Sequence, residues 1–435
     1  MNISKNIESI KKHPMAIRLL SAGFWSLFGN LSSKGLLLLS TTIVAHILGK
    51  NEYGEYSIIR TTVLMFIAFA SLGVGATTTK YIAEHRETNI QKAYNIYIVT
   101  SIFSIIFGSL TAIVLIFFAN DIATYQLKAP YLANSIKLGA LLLFFCTING
   151  AQNGALLGFE NFKRSATNSL VSSIVEFCSI LLLAYIWGVS GAIIGSSIGY
   201  IILTIINNRS IQTNFKDKVT FKISQIKKNE ILVITKFGLP SALCNLLVIG
   251  VLWYTRTLLV QETDFGQVAV FNASDQIKSF ILFIPASLSQ IILPVLTNIN
   301  AKKDQSSYKK ILWYNILINV SIASLITLFI CIFASQILRL WGTDFNDPIT
   351  LIYLACSTIF ASFATVVGQA IASKGKMWIG FLFNFGWSLL VLILSIHFLD
   401  QGMGASGLAL AIFISYVFHG IFQYIYLSFA IKQNQ

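Results

Sequence analysis

The chain has 435 residues, of which 55% are hydrophobic and only 11% are charged, and its mean hydropathy is +0.72. Soluble globular domains carry about 25% charged residues, so this composition excludes a soluble globular protein and predicts an integral membrane protein. The net charge of +14 does not indicate nucleic-acid binding, because the basic residues form short clusters between apolar segments, with no aromatic-interleaved basic domain.

Twelve apolar segments long enough to cross a bilayer follow one another along the chain. Gly and Pro residues mark their connections, and alternating ten-residue strands of the β-barrel type are not seen. The predicted fold is therefore all-α and membrane-embedded, with twelve transmembrane helices. The predicted segments are 18–48, 57–79, 95–119, 135–158, 167–187, 190–208, 236–260, 268–297, 309–334, 348–372, 377–398 and 404–430.

Charges between the segments predict the orientation. With a cytoplasmic N-terminus, the even-numbered connections carry most of the Lys and Arg residues, whereas the odd-numbered connections are richer in Asp and Glu. The positive-inside rule then places both termini in the cytoplasm. The first 16 residues have no apolar core and no small-residue cleavage site, so we expect no cleaved signal peptide.

The longest predicted cytoplasmic connection, 209–235, divides the segments into six and six. We therefore predict an N-terminal lobe over 1–208, a basic linker over 209–235 and a C-terminal lobe over 236–435, around a central cavity. A faint repeat supports this. Gly23, Asn30, Leu31 and Gly35 correspond to Gly238, Asn245, Leu246 and Gly250, and the turn Tyr53-Gly54 corresponds to Phe265-Gly266.

Five charged residues lie inside otherwise apolar segments: Lys34, Glu176, Arg256, Asp275 and Lys278. A charge near the bilayer centre costs roughly 2.5–3.5 kcal/mol on insertion scales, so such residues are expected to pair or to line a polar cavity. Asp275 and Lys278 are spaced to pair on one helix, and Arg256 is close enough to a helix end to extend to the interface instead. Three cations against two acids favour an anionic substrate.

Helical periodicity places further polar residues near these charges. The alternative to a polar cavity is that these polar residues only join helices through hydrogen bonds. We favour this alternative for the Ser and Thr positions. The candidate cavity residues for substrate binding are Lys34, Arg256, Lys278, Arg60, Asn30, Asn245 and Gln276; Glu176 and Asp275 are candidates for ion coupling or for pairing.

Cofactor and catalytic motifs are not apparent. The five cysteines fall inside apolar segments without metal-ligand spacing, and we found no GxxxxGK[ST] or HExxH. The one GxSxG match, residues 195–199, lies inside an apolar segment and not at the strand-to-helix turn that this motif needs. No connection is long enough for a catalytic domain, which disfavours a membrane-embedded polymerase or transferase. We therefore predict a transporter without a metal or organic cofactor.

Three stretches resemble a known family. Residues 48–57 read LGKNEYGEYS after the first segment, and Gly73-Val74-Gly75 precedes Lys80-Tyr81 near the end of the second. The eighth segment contains Pro285, Leu288, Ser289, Gln290 and Pro294. With the six-plus-six layout, these residues resemble the Wzx-type polysaccharide flippases of the multidrug/oligosaccharidyl-lipid/polysaccharide exporter superfamily.

The resemblance implies a flippase that moves undecaprenyl-diphosphate-linked oligosaccharide repeat units, of the O-antigen type, across the bacterial inner membrane by alternating access. It also implies coupling to H⁺ or Na⁺, with Glu176 or Asp275 as the proton carrier. A polysaccharide polymerase and a chain-length regulator would be its partners, beside the lipid bilayer. The sugar is not encoded in a slightly cationic cavity.

Two relatives of such a flippase are the main alternatives. A multidrug exporter for cationic compounds would be expected to have an acidic cavity, whereas the first segment here carries Lys34 and no acid. A lipid II flippase would usually have two further helices beyond the twelve predicted.

Overall fold

The structure, a computed structural model, describes residues 14–71, 73–215, 239–289, 296, 299, 305–374 and 377–432. These residues form long helices with short connections, and the described part of the chain contains no strand. The predicted all-α class is confirmed. The long helices are α1 Pro14–Ser71, α2 Val74–His85, α3 Ile90–Asp121, α4 Ala133–Gly158, α5 Phe162–Phe215, α6 Leu239–Glu262, α7 Phe265–Ile281, α8 Gln305–Ile332, α9 Pro348–Ser373, α10 Met377–Asp400 and α11 Gly404–Lys432.

Eight helices in the described part of the chain are long and apolar enough to cross a membrane. Two of them, α1 and α5, each join two of the predicted segments, although α1 holds only the first part of 57–79. α1 breaks at Gly49 (φ 78°) and α5 breaks at Gly188 (φ 58°), both in the left-handed region that glycine adopts without strain. The chain therefore turns at two glycines that lie between predicted segments. α6 covers most of the predicted segment 236–260, and α7 covers the first half of the predicted segment 268–297.

One predicted segment is interrupted. Residues 57–79 were predicted to form one helix, but α1 ends at Ser71 and α2 begins at Val74. Gly73 between them has φ 70°, a left-handed conformation that stops helical hydrogen bonding. The apolar run continues through this point, so hydropathy alone did not reveal the break.

Contacts divide the chain into two compact units. The first comprises Met1–Ser40, Phe66–Phe118 and Ile136–Leu243. Its helices α2 and α4 approach closely, because a Cβ added to Gly154 would lie only 2.4 Å from the Gly75 carbonyl oxygen. Small residues at such crossings let membrane helices pack backbone to backbone.

The second unit comprises Thr41–Met65, Ala119–Ser135 and Cys244–Gln435. A Cβ on Gly54 would lie 1.9 Å from the Phe265 carbonyl oxygen, so only glycine permits this approach of α1 to α7. The two turns that the sequence repeat relates, Tyr53-Gly54 and Phe265-Gly266, thus meet in this unit.

The lobe boundaries 1–208 and 236–435 stay a prediction. Within the contact units, 41–65 and 119–135 group with the C-terminal part of the chain. Of the predicted linker 209–235, residues 209–215 continue α5, and 216–235 lie outside the described residues.

Candidate functional site

A buried ion triad joins α6 and α7 in the second unit. The Asp275 carboxylate accepts a hydrogen bond from Arg256 Nη2 at 2.8 Å and another from Lys278 Nζ at 2.9 Å. The predicted pairing of Asp275 with Lys278 is confirmed. Pairing offsets the cost of placing these charges in an apolar helix pair. The three formal charges sum to +1, so one cation remains in excess.

Arg256 is held from several sides. The residue is 6% exposed, its Nη1 donates to the Leu252 carbonyl at 2.9 Å, and its guanidinium carbon lies 5.1 Å from the centroid of the Phe271 ring. It bonds to Asp275 rather than extending to the interface, which was the alternative considered from the sequence. Its Nε is buried and has no hydrogen-bond partner among the described residues. Such an unpaired buried donor is costly.

A second face of α7 is bonded to α1. Gln276 Nε2 donates to the Tyr53 hydroxyl at 2.8 Å, and Gln276 Oε1 accepts from Thr41 at 2.6 Å. Asn272 donates to the Ser57 hydroxyl at 2.8 Å. Gln276, a predicted cavity residue, therefore holds α7 against α1 and does not join the triad.

Local sequence explains where α7 begins. Asp264 precedes the helix in extended conformation, and its carboxylate accepts a hydrogen bond from the Gln267 amide at 2.9 Å. This N-cap satisfies one of the free amides of the first turn. It fixes the start of the helix on which Asp275 and Lys278 lie. Phe271 and Tyr53 were not predicted as site residues, because an aromatic residue in an apolar segment gives no signal of its role.

The first unit holds three of the predicted site residues. Asn30 and Lys34 are exposed on α1, four residues apart and therefore on one helix face. Glu176 is half-buried on α5, and its Cβ lies 2.5 Å from where a Cβ on Gly199 would be. Because Gly199 has no side chain, the Glu176 stem fits against the second half of the same bent helix.

Two further predicted site residues lie on α1 and α6. Arg60 is half-buried in the second unit. Asn245 lies on α6, but its side chain is outside the described residues. Their assignments to a cavity stay predictions.

Other polar residues in the apolar segments form hydrogen bonds between helices. Asn168 donates to Asn207 at 2.9 Å, Ser172 donates to the Gly199 carbonyl at 2.8 Å, and Asn149 donates to Thr204 at 2.7 Å. These bonds join α4 to α5 and the two halves of α5. They support the helix-joining interpretation for these positions.

Comparison with known proteins places the chain in a family. Residues 19–300 match the family described as "Polysaccharide biosynthesis protein". The chain is 22% identical over 417 residues to "EPS I polysaccharide export inner membrane protein EpsE" of Ralstonia nicotianae, covering 94% of this chain and 93% of that protein. It is also 22% identical to the "Putative O-antigen transporter" of Shigella flexneri, covering 89% and 92% of the two chains.

A solved structure shows the same fold. It is an inward-facing multidrug resistance MATE family transporter of the MOP superfamily, with a TM-score of 0.78 and 17% identity, covering 96% of this chain and 98% of that one. The fold and the family predicted from the resemblance are both confirmed. The chain belongs to the family of polysaccharide biosynthesis proteins and has the fold of MOP-superfamily transporters.

Proposed function

We propose that the protein is a flippase that carries undecaprenyl-diphosphate-linked oligosaccharide repeat units, of the O-antigen type, across the bacterial inner membrane by alternating access. The family, the full-length similarity to a polysaccharide exporter and the transporter fold support this proposal. The observation that carries it is the buried Arg256–Asp275–Lys278 triad, because a diphosphate must cross an apolar region where an excess of positive charge stabilises it.

The triad has donors left for a diphosphate. Lys278 Nζ carries three N–H groups, of which one bonds to Asp275. Phosphate oxygens accept strong hydrogen bonds from a lysine ammonium group. An anion can therefore bind the triad while the Arg256–Asp275 pair stays intact. Lys34 and Arg60 stay candidate cations for substrate binding, as the sequence predicts.

The proposed transport has a direction and a coupling ion. The charge bias of the connections supports cytoplasmic termini. The similarity to a polysaccharide export protein supports movement of the headgroup out of the cytoplasm. Glu176 and Asp275 are the candidate residues for coupling to H⁺ or Na⁺. A polymerase and a chain-length regulator would receive the exported repeat units.

Transport in proteoliposomes tests the function directly. The purified protein is reconstituted with a fluorescent undecaprenyl-diphosphate trisaccharide, and the labelled headgroup is quenched from outside as it changes leaflet. We expect protein-dependent translocation of the lipid-linked sugar and none of a cationic dye. Dye movement without translocation of the sugar would refute the flippase and favour the multidrug exporter.

A further inference from the structure

Two cysteine thiols meet between α8 and α9 in the second unit. Cys331 lies one residue before the end of α8 at Ile332, and Cys356 lies eight residues after the start of α9 at Pro348. The Cys331 thiol forms a hydrogen bond with the Cys356 thiol. Both cysteines are free and half-buried. A disulfide needs two cysteines whose side chains already approach each other, and this pair meets that condition.

The packing of the two helices holds the cysteines at one interface. Thr327 Oγ1 lies 2.9 Å from Thr358 Oγ1 and 3.1 Å from the Ala355 carbonyl oxygen. Cys331 follows Thr327 by four residues and therefore lies one turn further along the same face of α8. Cys356 directly follows Ala355 on α9. The threonine contacts thus place both cysteines between the same two helices, independently of the contact between the thiols.

The directions of the helices turn the two side chains toward each other. Tyr308 Oη lies 2.9 Å from Ser373 Oγ, so the beginning of α8 contacts the end of α9 and the helices run antiparallel. Each Cα–Cβ bond in a helix tilts toward the N-terminus of that helix. The Cys331 side chain therefore leans away from the connection between α8 and α9, whereas the Cys356 side chain leans toward it. Since Cys331 is nearer to the connection, the two thiols converge.

The surroundings of the pair favour oxidation. The connection 333–347 carries Asp344 and Asp347 against a single Arg339. With the cytoplasmic termini proposed above, this connection faces the periplasm. The bacterial periplasm is an oxidising compartment in which disulfides form and persist, whereas the cytoplasm keeps thiols reduced. Cys331, at the periplasmic end of α8, is therefore the first of the two thiols that a periplasmic oxidant reaches.

We propose that Cys331 and Cys356 are a redox-sensitive modification site that closes to a disulfide between α8 and α9. The oxidant is a protein disulfide of the periplasm. The Cys331 thiolate attacks one sulfur of that disulfide, which forms a mixed disulfide and releases the other sulfur as a thiolate. The Cys356 thiolate then attacks the Cys331 sulfur and releases the oxidant as a dithiol. Two electrons pass to the oxidant, and the two protons lost by the cysteines are balanced by the two that its thiols gain.

The bridge should stabilise the second unit without hindering transport. It joins two residues 25 positions apart, so it restricts the unfolded chain. Both cysteines belong to the second unit, and α8 and α9 already pack side by side there. The bridge therefore preserves an existing helix contact, and we expect an unchanged translocation rate. The site needs the proposed orientation of the chain but not the proposed substrate.

Peptide mapping tests the bridge. Membranes from aerobically grown cells are treated with N-ethylmaleimide to block free thiols, and the full-length protein is then digested with trypsin. Cleavage after Lys310, Arg339 and Lys374 gives the peptides 311–339 and 340–374, each with one of the two cysteines. We expect mass spectrometry to find these peptides joined and to find them separate after reduction. Separate peptides with both cysteines alkylated would overturn the proposal. A bridge that forms only after addition of copper phenanthroline would overturn it too, because the cell would then not oxidise the pair.

Thermal unfolding of matched variants separates the bridge from packing. Cys331→Ser and Cys356→Ser keep the side-chain size and remove the bridge. Without reductant, the wild type should unfold a few degrees above either variant, and reductant should abolish the difference. Cys178→Ser replaces an exposed cysteine of the first unit and should match the wild type in both conditions. A difference that persists in reductant would assign the thiols to packing and overturn the stabilising bridge.

The disulfide and the flippase function can fail independently. A bridged protein that does not translocate the lipid-linked sugar, before or after reduction, overturns the proposed function and leaves the modification site intact. An unbridged protein that translocates the sugar overturns the modification site alone.

Discussion

Replacing Lys278 by Met removes the excess cation of the triad. The side chains have similar length, and Asp275 keeps its 2.8 Å hydrogen bond to Arg256, so the change takes the formal charge of the triad from +1 to 0. The variant should therefore fold. If Lys278 contacts the diphosphate, the loss of a charged hydrogen bond worth about 1.5–3 kcal/mol should slow translocation about 10- to 100-fold.

The assay separates transport from folding. Translocation of the fluorescent lipid-linked trisaccharide is measured per folded molecule, and thermal unfolding is followed in the same detergent before reconstitution. Asp275→Asn provides the opposite change, because it takes the triad to +2 and leaves two buried cations without their anion. We expect a loss of stability of about 3–5 kcal/mol for this variant, far more than for Lys278→Met.

A matched control lies in the first unit. Arg86 forms an ion pair with Glu160 at 2.5 Å, and its side chain is 14% exposed, which is comparable to the triad cations. Arg86→Gln should lower stability but leave the translocation rate per folded molecule unchanged. Wild-type translocation by Lys278→Met, or an equal loss in Arg86→Gln, would refute the role of the triad in headgroup transport.

Three further changes test the surroundings of the site. Gly54→Ala should destabilise the protein by about 1–3 kcal/mol in thermal unfolding, because its Cβ would meet the Phe265 carbonyl at 1.9 Å, whereas Gly35→Ala, with open space, should be neutral or stabilising. Gln276→Leu removes two hydrogen bonds to α1 and should cost about 1–3 kcal/mol in the same measurement. Lys34→Glu should reduce translocation more than Lys34→Arg; equal activity of the two would assign Lys34 to packing.

The helices could be predicted from the sequence because hydropathy and glycine act locally. The breaks at Gly49 and Gly188 fall at connections between predicted segments, since positive φ is a property that glycine confers wherever it lies. The pairing of Asp275 with Lys278 could also be predicted, because the two residues lie three positions apart on one helix. The break at Gly73 was missed because the apolar run continues through it.

The partner of Arg256 could not be predicted, because it depends on tertiary geometry. Arg256 and Asp275 lie on different helices, and a small rotation of either would separate them. The Asp264 cap and the close approach at Gly54 help to place α7, and no periodicity reveals their joint effect.

The composition of the triad explains how a transporter can bind a diphosphate and still release it. Two unpaired buried cations would bind an anion tightly, but they would be costly to insert and slow to give the anion up. Asp275 lowers the insertion cost by pairing with both Arg256 and Lys278, and it leaves a net charge of only +1. The negative charge of Asp275 also partly neutralises both cations, so it weakens their attraction for a diphosphate and favours its release. Asp275→Asn should therefore bind undecaprenyl diphosphate more tightly than wild type and translocate it more slowly. Weaker binding in this variant, measured on folded protein by displacement of a labelled undecaprenyl diphosphate, would contradict this role of Asp275.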